Sequence, residues 1–466
     1  MLDIFRISDE KELTDDLLMK YIRKNDALIS KRYKPLWNAY QNDYKIYHQR
    51  NKPEWRPDWR ASVNFARYIV DTFEGFFLGV PLKITSEDDA VAEYIDELEA
   101  LTDGEDLNAE LSSIVSIFGR GYRIAYVDED GDIGSAYLDP MEAFAIYNEA
   151  ITPKMRYFVR VYRDSDNVRR GSISDDATVR YFKLGGDGIE WEEEHAHGFN
   201  GVPAIEYVQN RARRGIFEDV LPMIDAVNKT LSEKINDVDY FADSYMKVLG
   251  ARLDEQAVKF MRESRVINFA GKDGMSVVVD FMQKPSGDTT QEYHLDRLER
   301  LIFEIAMVCN ISNDNFATSS GIALKWKMTP MINLAANKWR KFHHGLNVYY
   351  RLVCSNPVSP LGEDDWTKID ITHSLNYPAN LAEEASIAQT LSGVTSRATQ
   401  LKVISVVDNV DDEMEKIKQE QEEAMQLATQ YELERTAAEQ AMNLSAEEGA
   451  PEGVMTDEEG NQVVQM

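Results

Sequence analysis

Leu221, Ile224, Val227, Leu231, Ile235 and Val238 recur at steps of three and four, which predicts a long helix over 217–245 with one apolar stripe. A second amphipathic run, "LDRLERLIFEIAMVC" at 295–309, predicts another helix, placed within 290–309. Residues 14–47 read as helical, with Thr14 as cap and Asp15 and Asp16 at the positive end of the dipole. "NKPEWRPDWR" (51–60) breaks this pattern with two prolines. Residues 61–85 then form a helix that runs through Gly-Val-Pro into a strand. Further helices are expected near 87–101 and 105–118, and over 322–354, where Pro330 removes a backbone donor and bends the helix.

Between these helical runs the period changes to two. "YRIAYVDEDGDIGSAYLDP" (122–140) reads as a hairpin on an Asp-Gly turn. "VRYFKLGGDGIEWEEE" (179–194) reads as another on Gly-Gly-Asp-Gly, with "YFVRVYRD" (157–164) alternating between them. The region 122–210 is thus expected to be a small β-rich unit in a mainly helical, α+β chain. Residues 246–289 read as a compact α/β unit, with strands at "MKVLGA", "RVINFA" and "MSVVVDFM" and a helix at "DEQAVKFMRES". A unit of this size between two long helices requires them to leave and return along one axis.

Composition narrows the function. The 466 residues are 43% hydrophobic and 10% aromatic, enough for a sizeable core. Lys plus Arg total 51 against 81 Asp plus Glu, a formal charge of −30. That argues against a broad basic surface that grips nucleic acid, though not against nucleic acid passing by. Residues 381–466 carry 19 acidic against 5 basic side chains; their helices are rich in Ala, Gln and Glu, and 446–466 lack any core-forming pattern. The N-terminus is not expected to be a signal peptide, and no stretch reads as a membrane span. Cys309 and Cys354 sit in apolar patterns and read as small buried thiols.

No motif carries catalysis. There is no phosphate loop and no nucleophile elbow, and "FGRGYR" (118–123) reads as a helix-to-strand turn. Asp128, Asp130, Asp132 and Asp139 imitate part of a calcium loop, but Ile133 stands where such loops need Gly, so a hairpin tip is expected. His195 and His197 would share a strand face without a third metal ligand nearby, and His343 and His344 point different ways on a helix. No cofactor, no metal and no catalytic residues are therefore expected. Lys325, Lys327, Lys338, Arg340 and Lys341 form a basic cluster, an exception to the acidic balance of the chain.

Four stretches in order resemble the portal (head–tail connector) proteins of siphophages that infect Gram-positive bacteria. They are "NFARYIVDTFEGFFLGVPLKI" (64–84), "GYRIAYVDEDGDIGSAYLDPMEAFAIYNE" (121–149), "MRYFVRVY" (155–162) and "SSGIALKWKM" (319–328). The resemblance covers roughly 10–440 and implies a non-enzymatic ring, usually of twelve subunits, around a DNA channel. It implies a wing over 1–216 that holds the β-rich unit, stem helices at 217–245 and 290–309, and a clip at 246–289. It also implies a tunnel loop at 310–321, a kinked wing helix and return segment at 322–379, a helical crown at 380–445 and an acidic tail at 446–466.

The implied partners are double-stranded DNA passing non-specifically, a separate terminase motor, major capsid or scaffolding protein and a head-completion adaptor, with no membrane. The implied location is the capsid portal vertex of the virion, and the host cytoplasm during assembly. A capsid-associated scaffold or minor head protein without a channel is the alternative reading. On this resemblance Ser312, Asn313, Asp314, Asn315, Phe316, Thr318, Ser319 and Ser320 form the loop that meets DNA, where turn chemistry alone would give an ordinary surface turn. Arg262, Arg265 and Lys272 are the expected docking cations of the clip. Ile224, Leu231 and Ile235 are the expected subunit seam of the stem.

Overall fold

The computed structural model describes residues 4–54, 56–186, 188–242, 246–249, 278–281, 288–311, 321–377, 381–404, 406–407 and 409–448. The chain divides into two units, 1–377 and 378–466. In the first, strand β1 (Phe5–Ile7) precedes α1 (Asp15–Leu28), a π turn (Ile29–Tyr33) and α2 (Lys34–Tyr40). Then come α3 (Phe65–Phe77), β2 (Lys83–Ser86), α4 (Asp89–Leu101) and α5 (Gly104–Phe118). Thr14 caps α1 through its side chain, which accepts from the Leu17 amide at 3.4 Å, as its position predicts.

The β-rich region holds eight strands among the described residues. They are β3 (Arg120–Val127), β4 (Ile133–Leu138), β5 (Ala143–Asn148), β6 (Met155–Arg163), β7 (Arg169–Ser174), β8 (Thr178–Gly185), β9 (Gly188–Ala196) and β10 (Ala204–Val208). Both expected hairpins form, β3 with β4 and β8 with β9. The region is not one sheet, however. Strands β5 to β9 run antiparallel in sequence, while β10, β3 and β4 form a separate sheet of three.

The first sheet also extends beyond the expected boundary, because β1 joins it parallel to β5 with Phe5 opposite Ile146. Three residues are too few to show alternation, so only the pairing makes β1 a strand. Phe5 packs edge-on against Phe144 at 5.0 Å between ring centres, and the Tyr21 hydroxyl donates to the Arg6 carbonyl at 2.6 Å.

Helix α5 passes into β3 at Gly119, which takes φ +83° and ends the helix in the left-handed region. A Cβ there would lie 2.2 Å from the Arg213 carbonyl oxygen. "FGRGYR" is thus the helix-to-strand turn expected.

After β10 come α6 (Leu221–Ala242), β11 (Met246–Leu249), β12 (Val278–Phe281), α7 (Asp288–Ala306), α8 (Gly321–Ser355) and β13 (Ile369–Thr372). Strands β11 and β12 pair antiparallel, so the segment between α6 and α7 does leave and return together. Helix α7 begins earlier than expected and stops at Ala306, where Met307 adopts φ +59°. The largest core gathers α2, α3, α5, α6, α7 and α8 around Phe73, Phe77, Phe118, Ile302, Phe342 and Tyr349. In the second unit, α9 (Leu381–Thr390), α10 (Arg397–Leu401) and α11 (Val410–Glu448) follow one another, and α11 runs three residues past the expected end.

Candidate channel and subunit-contact surfaces

Helix α6 carries a buried polar row beside its apolar stripe. Asn228, Ser232 and Asn236 recur every fourth residue and are almost completely covered. What covers them is the proline-interrupted segment before α3, which runs extended along the helix. Val63 donates its amide to Asn228 Oδ1 at 2.8 Å, Ala61 to Ser232 Oγ at 2.9 Å and Trp59 to Asn236 Oδ1 at 2.6 Å. Asn236 Nδ2 returns a bond to the Trp59 carbonyl at 3.0 Å.

The two spacings match because alternate amides of an extended chain repeat every ~6.6 Å, close to the ~6 Å rise of four helical residues. Farther out, Lys52 pairs with Glu233 at 2.9 Å and Trp59 Nε1 donates to Asp239 at 3.0 Å. The root of α6 is therefore strapped by main-chain bonds to side chains. Sequence reading passed over this row; its signal was three small polar residues at i, i+4 and i+8.

Helices α6 and α7 pack together, with Lys234 paired to Glu292. They carry nine acidic side chains against four basic. At the far end of α7 the chain is pinned on both sides of residues 312–320. The Ile311 amide donates to the Tyr68 hydroxyl at 3.2 Å, and Asn310 Nδ2 donates to Glu299 at 2.8 Å. Cys309 Sγ approaches the Lys327 carbonyl at 3.6 Å, so the end of α7 lies beside the first turns of α8. A groove of about 690 Å³ opens there, lined among others by Tyr293, Arg297, Arg300, Met307, Lys327 and Pro330. Around it Tyr293 and Trp326 stand 70% and 75% exposed, large apolar surfaces that no part of the described chain covers.

Helix α8 is fixed to the core by a buried ion pair. Lys338 has no exposed side-chain surface; its Nζ donates to Glu74 at 2.6 Å, to the Ser112 carbonyl at 3.0 Å and to Ser116 Oγ at 2.9 Å. Burial holds this lysine below its ordinary pKa, with Glu74 opposing the shift. Lys338 is thus not a member of a surface cluster: it faces the interior and ties α8 to α3 and α5. Arg340 donates to Asn337 at 3.0 Å on the exposed side.

Two further arginine groups brace the sheets, the first tying β10 to β3 and the loop that follows β10, the second tying β3 to α5 and α8. Glu206 is buried between Arg213 at 2.7 Å and Arg120 at 3.6 Å. Burial would raise its carboxyl, yet the Arg213 bond and the two cations pull it below the usual value. Arg123 lies fully buried with its guanidinium 3.4 Å from the Tyr349 ring centre and donates to Ser135 Oγ at 2.7 Å and Asn108 Oδ1 at 3.2 Å.

The histidines and hairpin aspartates have local partners. His195 sits in β9 beside Glu193, whereas His197 lies past the strand end, where its Nε2 donates to the Asp175 carbonyl at 3.1 Å. The expected shared strand face does not form, because β9 stops at Ala196. Asp128 Oδ1 accepts from the Asp130 and Asp132 amides at 3.0 and 2.9 Å, which makes it the organiser of a hairpin tip. Asp139 accepts from the Met141 amide at 2.7 Å in a different turn. Among the described residues no group of three or more His, Cys, Asp or Glu is arranged to hold a metal. Nor is any described helix long and apolar enough to cross a membrane.

One family model matches most of the chain. Residues 19–427 match the family described as phage portal protein, SPP1 Gp6-like. The chain belongs to that family. It is 22% identical over 289 residues to the portal protein of Clostridium phage phiCD119, covering 58% of this chain and 63% of that protein. It is 20% identical over 391 residues to the portal protein of Bacillus phage SPP1, covering 78% of this chain and 76% of that one.

On this portal-family chain the residues anticipated for the stem seam separate. Ile224 is fully buried in the chain's own core, so it cannot present a side chain to a neighbour. Leu231 is half-buried, while Ile235 and Val238 are 36% and 65% exposed. The stripe therefore turns from core to surface along α6, as a straight helix does when it projects beyond the domain that covers its base. The loop residues Ser312, Asn313, Asp314, Asn315, Phe316, Thr318, Ser319 and Ser320 lie outside the described residues. So do Arg262, Arg265 and Lys272 of the anticipated clip.

Proposed function

We propose that this protein assembles into a ring-shaped channel at one capsid vertex. Through it a separate terminase motor packages the genome, which is held there and later released, and onto it head-completion and tail proteins attach. The observation that carries the reading is the family match over 19–427, a span that contains strands β2 to β13, α6, α7, α8 and the first part of α11. In this reading the two larger sheets and their helices, with α8, are the wing, α6 and α7 the stem, residues 246–289 the clip, and α9 to α11 the crown.

The acidic balance of α6 and α7 suits a wall along which DNA slides, since each Lys–phosphate contact would deepen binding and slow passage. Residues 310–321 form the loop that meets the duplex, and their pinning by Tyr68 and Glu299 gives that loop a firm base. Negative-stain imaging of the purified protein tests the class: rings with a central hole are expected, and a monomer or open chain supports the scaffold reading instead. Changing Asn313, Asp314 and Asn315 together to Lys tests the loop. Rings should persist and packaging should slow at low salt, easing as salt rises; normal packaging at low salt removes the loop from the channel.

A further inference from the structure

Two surfaces of the first unit carry opposite charges that find no partner within the described chain. The rod formed by α1, the π turn and α2 buries Leu18, Tyr21, Ile22, Asn25, Tyr33 and Leu36 on one side. Its outward side exposes Lys20, Arg23, Lys24, Lys31 and Lys34. Among the described residues none of these five cations pairs with a carboxylate, although the protein carries a net charge of −30.

The second surface is a groove of about 600 Å³ between α4, α5 and β2, with Leu78, Leu82, Ile84 and Ile95 in its lining. Asp96, Glu99, Asp103, Glu105 and Asp106 also line it, and no lysine or arginine pairs with any of them among the described residues. Glu99 accepts the Tyr350 hydroxyl at 2.7 Å, which leaves the other four as free carboxylates.

The chain cannot join these surfaces to each other. Arg32 ties the rod to the carbonyl of Phe118 at one end of α5, at 3.3 Å, while Glu105 and Asp106 lie in its first turn. Fifteen helical residues separate the two ends by about 22 Å of rigid rise. A second copy has no such restriction. Two different, complementary patches on one chain are also what a head-to-tail contact needs, and repeating such a contact closes a ring when the rotation allows.

We propose that the cationic side of the α1–α2 rod of one subunit seats on the acidic groove between α4 and α5 of the next. The inference rests on the ring reading above and names the surfaces that would make it. Apolar groove lining supplies contact area; the charges set register and direction, because rod against rod and groove against groove repel.

The test reverses each side. One variant carries Lys20, Arg23, Lys24 and Lys31 changed to Glu. A second carries Asp96, Asp103, Glu105 and Asp106 changed to Lys, and a third combines all eight. Every changed side chain is exposed, and circular dichroism with a thermal melt checks that each variant folds. Mass photometry across a dilution series should show that either single-surface variant needs at least tenfold more protein to form rings. The combined variant should return toward the wild-type midpoint, and 1 M NaCl should weaken wild-type rings by screening.

A wild type that never forms rings defeats the ring reading and this contact with it. Wild-type rings together with undiminished rings from either single-surface variant overturn this contact alone, and so does a combined variant that stays dissociated. Fluorescence polarisation with a short DNA duplex closes the remaining alternative. If the rod reversal leaves rings intact but abolishes duplex binding, the rod contacts phosphate and the proposal fails.

Discussion

Replacing Lys338 by Met removes one charge from the interior of the first unit and leaves its shape nearly unchanged. The Glu74 carboxylate, whose side chain is only 12% exposed, would keep two hydroxyl donors, Ser112 and Ser116, each at 2.5 Å, and lose its cation. The Ser112 carbonyl would lose its donor from the ammonium as well. Removing one partner of a buried pair costs about 3–5 kcal/mol, because the remaining charge is desolvated without compensation. Replacing both, as Lys338→Met with Glu74→Leu, removes the stranded charge and leaves two hydroxyls and a carbonyl to resatisfy, a cost of roughly 1–3 kcal/mol.

The expected pattern is thus a double variant more stable than Lys338→Met alone, with a coupling of about 2–4 kcal/mol between the positions. Urea unfolding of dilute, unassembled protein, followed by tryptophan fluorescence, measures Lys338→Met, Glu74→Leu and the double variant. A loss below about 1 kcal/mol for Lys338→Met, or additivity within about 0.5 kcal/mol, would refute the assignment of Lys338 as a desolvated anchor of α8.

Changing Asn228, Ser232 and Asn236 to Ala should cost about 1 kcal/mol per lost bond and raise hydrogen exchange at the amides of 59, 61 and 63 at least tenfold; unchanged exchange would mean that the strap is held by something else. Gly119→Ala should destabilise by at least about 2 kcal/mol, since its φ is left-handed and the new Cβ meets the Arg213 carbonyl at 2.2 Å; thermal melts read this directly. Burial holds His373 below its ordinary pKa, with the Phe77 carbonyl opposing and Lys338 reinforcing the shift. The unfolded chain therefore takes the proton first, and stability falls as pH drops from about 6.5 toward the lower folded value. A His373→Asn variant should show a shallower fall in Tm between pH 7.5 and 5.5, and parallel curves would contradict this.

The sequence by itself determined the helices and hairpins, because their signals are local. Apolar steps of three and four marked α6 and α7, alternation with Asp-Gly and Gly-Gly-Asp-Gly marked two hairpins, and Thr14 marked the start of α1. It also carried the family, through four stretches that kept their order along the chain. Tertiary structure alone decided what those elements meet. Strand β1 exists through its pairing with β5, and Lys338 is an anchor rather than a surface cation because α3 brings Glu74 to it.

The polar row on α6 is visible as spacing, but its function depends on an extended segment some 170 residues earlier lying along it. Periodicity likewise gave Ile224 and Ile235 the same face. Only packing buried the first and left the second exposed, because the core covers the base of α6 and ends before its tip. Local patterns reach a few residues along the chain, whereas burial and ionic pairing depend on partners that only folding brings together.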